Sequence, residues 1–146
     1  MADIARPPIT PRGEEKVWFE RLRAHELVIH RCTGCSRAVF PLRTVCPHCH
    51  GESLDLETVT GRGTVHAFTT QLRASHPFFA PDAPYTLVLV DLEEGVRMLA
   101  NLIDCAPDDA RIGMPVEAVF DDVEAELTLL RFRPTPAFDS IAEGAS

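Results

Sequence analysis

Cys32, Cys35, Cys46 and Cys49 form two Cys-x-x-Cys pairs with ten residues between them, the spacing with which a short chain presents four thiolates to one metal ion. Each pair can turn both sulfurs inward from a tight knuckle, and a hairpin between the knuckles can close a tetrahedron. Such a shell keeps no position open for water or substrate, so the metal would contribute folding free energy rather than Lewis-acid catalysis. Four sulfurs alone do not choose between zinc and iron, although zinc is the commoner occupant of short ribbons. A redox dithiol or a disulfide framework fits less well, because two matched pairs exceed what a dithiol needs and a fifth cysteine, Cys105, prevents full pairing. Phe40, Pro41 and Val45 lie between the knuckles and are expected to cover the metal from one side. Arg31, Arg37 and Arg43 are placed to offset the thiolate charge or, in a sharper reading, to form a small anion-binding patch.

Other chemistry is sparse. There is no Ser-His-Asp order, nucleophile elbow, phosphate-cradling glycine loop or zincin helix. The histidines are His25, His30, His48, His50, His66 and His76, none with a carboxylate placed in sequence to orient it. His48 and His50 are alternative metal ligands only if a sulfur fails. The pairs Glu93-Glu94, Asp108-Asp109 and Asp121-Asp122 read as turn residues rather than paired acids and bases. Cys105 follows a strand with no base nearby and reads as a small buried hydrophobe.

The elements that must hold the cysteines follow from periodicity. Glu14 to Arg23 is predicted as a short helix, acidic in its first turn, with Trp18 and Leu22 on one inward face; Trp18 and Phe19 could instead be exposed for docking. Leu27 to Arg31 is predicted as the strand entering the ribbon. Five further strands are expected over Gly63 to Thr70, Tyr85 to Leu92, Val96 to Ile103, Val116 to Asp121 and Leu127 to Arg133. Leu87-Val88-Leu89-Val90 is apolar without alternation, the pattern of a strand buried on both faces, and Glu93-Glu94-Gly95 supplies the next hairpin turn. Gly61 and Gly63 suit a bend or bulge. The fold class expected is mainly β: an N-terminal helix, a zinc ribbon, then a five-stranded Greek-key barrel of the OB type. We divide the chain into an arm and helix over 1–26, a ribbon over 27–57, a barrel over 58–134 and a mobile tail over 135–146. The loop Ala74 to Pro84 sets Phe78 and Phe79 among three prolines, either folded over the barrel mouth or used against a partner.

Lys and Arg number 14 against 22 Asp and Glu, a formal charge of -8. That balance opposes nucleic-acid binding, which draws most of its non-specific affinity from cations on phosphates. No stretch approaches the roughly 18 apolar residues of a membrane span, and prolines occupy the N-terminus where a signal peptide would be apolar. A cytoplasmic chain is expected, in keeping with reduced thiols.

The helix with Trp18-Phe19, the segments Arg31-Cys32-Thr33-Gly34-Cys35, Phe40-Pro41, Cys46-Pro47-His48-Cys49 and Gly61-Arg62-Gly63-Thr64-Val65, and then Pro84-Tyr85, Val90 to Arg97 and Ile112 to Val116, occur in that order. This succession, from about Glu14 to Pro134, resembles the DUF35 OB-fold family. The resemblance implies a rubredoxin-like zinc ribbon ahead of an OB-fold, in small non-catalytic proteins that accompany thiolase-like acyl-CoA enzymes. It implies partners among thiolases, hydroxymethylglutaryl-CoA synthase, acyltransferases and steroid side-chain retro-aldolases, with the small subunit supporting the partner and helping to shape its acyl-CoA channel. In that family glycine commonly follows the second cysteine of each knuckle, whereas this chain has Ser36 and His50. Two other functions stay open on the residues alone: a ribbon and OB module on single-stranded nucleic acid, and an iron-containing electron carrier.

Overall fold

The computed structural model describes residues 4–136. The expected mobile tail, from residue 137 onward, lies outside the described residues. Helix α1 (Glu14–Arg23) begins with Glu14 and Glu15 and carries Arg21 and Arg23 in its last turn, each sign placed against the favourable end of the helix dipole. Leu22 is buried, and Trp18 and Phe19 pack partly buried against the same core. The helix is followed by His25 at φ 58, a left-handed residue where glycine is usual.

Strands β1 (Val28–Cys32), β2 (Ala38–Val39) and β3 (Leu54–Thr58) form a small antiparallel sheet in the order β2-β1-β3. Five longer strands close into a barrel in the order β4-β5-β6-β8-β7, with β7 returning to β4: β4 (Arg62–Gln71), β5 (Tyr85–Leu92), β6 (Arg97–Leu102), β7 (Pro115–Glu124) and β8 (Leu127–Pro134). Only β6 and β8 run parallel. This is the five-stranded barrel expected from the strand pattern, and closure leaves it without a free edge.

The barrel interior is filled by Val65, Val88, Val90, Met98, Val116 and Phe132, and the same buried cluster continues into Leu22, Leu27 and Ile29. The ribbon therefore stands on the barrel through its own first strand. On β5 burial alternates strictly: Thr86, Val88, Val90 and Leu92 point inward, while Leu87 and Leu89 are only half-buried. Among the described residues, the continuous apolar run read as buried on both faces is thus fully buried on one face and half-buried on the other.

Gly61 lies at φ +80, and a Cβ there would come within 2.7 Å of the Ala118 Cβ. At Gly63 the constraint is steric, since a Cβ would sit 2.4 Å from the Asp91 carbonyl oxygen. The bulge itself falls further along β4, between Val65 and Ala67.

Helix and barrel are also joined at the surface. His25 Nε2 sits 3.0 Å from both carboxylate oxygens of Asp122 and its ring stacks on Phe120 at 5.2 Å, while buried Thr128 donates its hydroxyl to Asp122. Asp121 and Asp122 lie inside β7 and not in the turn expected for them, and the pairing with β8 shifts register between Asp122 and Glu124. The Thr128 hydroxyl, then His25, hold the Asp122 carboxyl below the usual carboxylate range. Its contribution to stability is therefore present above about pH 4 and is lost as the pH falls through the lower folded value. Asp122→Ala is expected to flatten this part of the acid limb of a pH–melting profile; an unaltered limb would mean the contact contributes nothing.

Candidate metal centre

Each knuckle is closed by the backbone. Ser36 N–H donates to the Cys32 carbonyl at 2.8 Å and His50 N–H to the Cys46 carbonyl at 2.9 Å. Both closing residues are left-handed, Ser36 at φ 65 and His50 at φ 65, so the two positions where glycine is missing do adopt the conformation glycine would favour. Each costs about 1–2 kcal/mol, which metal binding offsets several-fold.

The four Sγ atoms all lie within 4.8 Å of one another. Cys32 Sγ is 3.5 Å from Cys49 Sγ, and Cys35 Sγ is 3.7 Å from Cys46 Sγ. A tetrahedron of Zn–S bonds about 2.3 Å long has S···S edges of about 3.8 Å, so the donor set fits one divalent ion. All five cysteines are free, which removes the disulfide framework. Cys32 and Cys46 are fully buried, Cys35 is half-buried and Cys49 is exposed. Their cover is Val39 and Leu54, not the residues expected: Phe40 turns away to pack against Trp18, ring centroids 5.1 Å apart and planes tilted by 55°, and joins the main core, and Val45 is exposed. The aromatic is drawn to the larger apolar surface of α1.

Backbone N–H groups point at the sulfurs, His48 N–H to Cys46 Sγ and Gly51 N–H to Cys49 Sγ, each at 3.4 Å. Burial raises the Cys46 thiol, but the N–H groups of Cys49 and His48 and the thiols of Cys35 and Cys32 outweigh it and hold the group at about 7. For Cys49 the Gly51 N–H lowers the thiol, yet the Cys32 thiol, burial and the thiols of Cys35 and Cys46 push it up to about 11. A bound dication would hold all four sulfurs as thiolates.

Arg31 is committed to Glu57 at 2.8 Å and to the Ser36 carbonyl, and the Arg37 guanidinium reaches only His48 Nδ1 at 3.4 Å. Arg43 contributes its backbone N–H to His30 Nδ1. His30 is buried, and desolvation lowers its pKa. His48 and His50 do not join the sulfur cluster, and among the described residues no other group of three or more His, Cys, Asp or Glu side chains gathers donor atoms for a metal.

The remaining candidates make contacts within the fold. His76 accepts the Phe78 N–H and so caps the 3-10 turn Pro77–Asp82. Phe78 and Phe79 pack edge to face at 5.1 Å, with the Arg6 guanidinium 4.7 Å and 5.6 Å above their rings. Cys105 is half-buried and its thiol is raised, by burial first. Sequence reasoning missed the His66–Asp91 pair at 3.5 Å and the cluster of His25, Asp122 and Thr128, whose His25 and Asp122 are 97 residues apart and meet through barrel closure. Histidine and hydroxyl both bind the carboxylate instead of each other, so no nucleophile is activated.

Comparison with known proteins agrees with this architecture. Residues 19–55 match the family of ChsH2 rubredoxin-like zinc ribbon domains, and residues 56–121 match the ChsH2 C-terminal OB-fold domain. A DUF35 domain-containing scaffold protein of Methanocaldococcus jannaschii is 35% identical over 111 residues, covering 75% of this chain and 77% of the relative. A probable enoyl-CoA hydratase alpha subunit of Thermomonospora curvata is 37% identical over 129 residues, and there the chain spans only 40% of the relative's length. Among solved structures, the Ltp2-ChsH2(DUF35) aldolase contains a chain that is 38% identical, superposes with a TM-score of 0.78 and is covered over 98% of its length. With ribbon, barrel and knuckles all accounted for by these matches, the chain belongs to the DUF35/ChsH2 family of zinc-ribbon and OB-fold proteins.

Proposed function

We propose that the chain is a non-catalytic accessory subunit of a thiolase-like acyl-CoA enzyme of the thiolase, acyltransferase or steroid side-chain retro-aldolase kind, stabilising that partner and helping to shape its acyl-CoA channel. The observation that carries this reading is the match over 98% of one chain of the Ltp2-ChsH2(DUF35) aldolase. A closed four-sulfur site supports it, because a metal held by Cys32, Cys35, Cys46 and Cys49 has no position left for substrate. In this reading the ion is zinc, and it supplies folding free energy and nothing else. Phe78 and Phe79, still half-exposed beneath Arg6, offer the partner an aromatic contact. The free thiols suit a reducing, cytoplasmic setting.

Turnover of acyl-CoA substrates by the purified chain, by its thiolase-like partner and by the two together tests the division of labour. The chain alone is expected to be inactive and to raise the partner's activity or stability on mixing. Turnover by the chain alone would overturn the assignment. A colourless preparation with one zinc per chain is expected, and a visible-absorbing iron centre would favour electron transfer instead.

A further inference from the structure

The outer face of β4, β5 and β6 carries an aliphatic patch that the described residues leave partly exposed. Register places Ala67 opposite Leu89 and Leu89 opposite Leu99 on one rung, with Thr69, Leu87 and Asn101 on the next. Leu99 is 62% exposed, and Leu87 and Leu89 are half-buried beside it, while their neighbours Val88, Val90, Met98 and Ala100 point into the core. An outward leucine on its own is ordinary; three converging on two adjacent strands, in a run that reads as covered on both faces, are not.

The same strands are the second and third of an OB barrel, whose outer face commonly receives ligands. Nucleic-acid binders arm that face with stacking aromatics and free cations. Here the centre is leucine and the cations are spent. At one end Arg97 Nε bonds Asp91 Oδ1 at 2.6 Å, and at the other Arg131 bonds Asn101 Oδ1 at 2.6 Å and Asp121 Oδ2 at 3.2 Å. An apolar centre within a rim of satisfied polar pairs is the anatomy of a protein interface. With a chain charge of -8, the complementary surface is aliphatic at its centre and basic around it.

We propose that this face, centred on Leu99, is where the chain docks its protein partner, through an aliphatic strip of that partner bordered by Lys or Arg. The proposal rests on the accessory-subunit reading above and goes beyond it by naming the surface.

The test compares full-length wild type, Leu99→Asp and Leu89→Glu for binding to the purified thiolase-like partner, with Ile112→Asp as a control. Ile112 is 72% exposed and lies off these strands, just before β7. Melting and circular dichroism establish that each variant is folded. Leu99→Asp is expected to weaken binding by more than tenfold, as loss of a central contact does, and Ile112→Asp by less than twofold. Association of the wild type is expected to slow as salt rises. If wild type binds and folded Leu99→Asp and Leu89→Glu bind equally well, the surface is wrong and the subunit reading stands. If wild type does not bind the partner at all, the subunit reading itself fails. Binding of a single-stranded oligonucleotide that Leu99→Asp abolishes would also overturn the proposal, since it would give the face a different occupant.

Discussion

Serine in place of Cys46 is expected to empty the metal site and to lower the melting temperature by roughly 10 °C or more. Cys46 is fully buried and receives the N–H of His48, so the substitution removes a ligand from the inside of the cluster, where no other donor stands by. Structural zinc contributes about 10–16 kcal/mol in comparable small sites at neutral pH. Giving up even a quarter of that, about 3 kcal/mol, is a large shift for a chain of this size. The damage would not stop at the ribbon, because Leu27 and Ile29 belong to the same buried cluster as the barrel. Chelation of the wild type should reproduce the effect, and acidification should as well, since protons compete for the thiolates. Metal content and melting of Cys46→Ser measure this directly, and a metal-free variant that melts with the wild type would show the site to be dispensable.

Alanine at position 63 is the second large effect. Gly63 pairs with Leu92 on β5 and with Val116 on β7, where the barrel closes. An added Cβ would lie 2.4 Å from the Asp91 carbonyl oxygen and 2.8 Å from Val90 Cγ1, and the backbone of a neighbouring strand cannot yield as a flexible side chain would. Overpacking of this kind costs about 1–3 kcal/mol, and more where main chain must move. Gly95→Ala is the natural comparison: Gly95 has φ +97 but nothing within 4 Å of the added atom, so only backbone strain of about 1–2 kcal/mol applies. Denaturant midpoints of the two variants should separate clearly, with Gly63→Ala the weaker; equal midpoints would contradict the close strand approach.

Much of this could be read from the sequence, and the exceptions have physical reasons. The gathering of the four cysteines was legible because two knuckles fix local geometry through i to i+4 backbone bonds, independent of the rest of the fold. The strands β4 to β8 were legible to within about three residues at their ends, since apolar periodicity reports burial. Less legible were β2, whose two residues Ala38–Val39 are too few to show a period, and β3, where Leu54 and Leu56 alternate with acidic residues over only five positions. Phe40 could not be placed from its position between the cysteines, because its choice between metal and core depends on where α1 lies. The His25–Asp122 contact was hidden for a similar reason: sequence separation gives no hint of which loop a closing barrel will bring to a helix end. For Leu87 and Leu89 the mismatch runs the other way, with a composition suited to burial on a face that the described residues cover only in part.

In the proposed function this chain works as part of a larger acyl-CoA enzyme. Co-expression with the thiolase-like protein encoded nearest to it, followed by size exclusion and metal analysis of what elutes, tests that claim directly. A heteromer of fixed ratio carrying zinc on this chain is the expected result. A lone monomer eluting apart from an intact partner would contradict it.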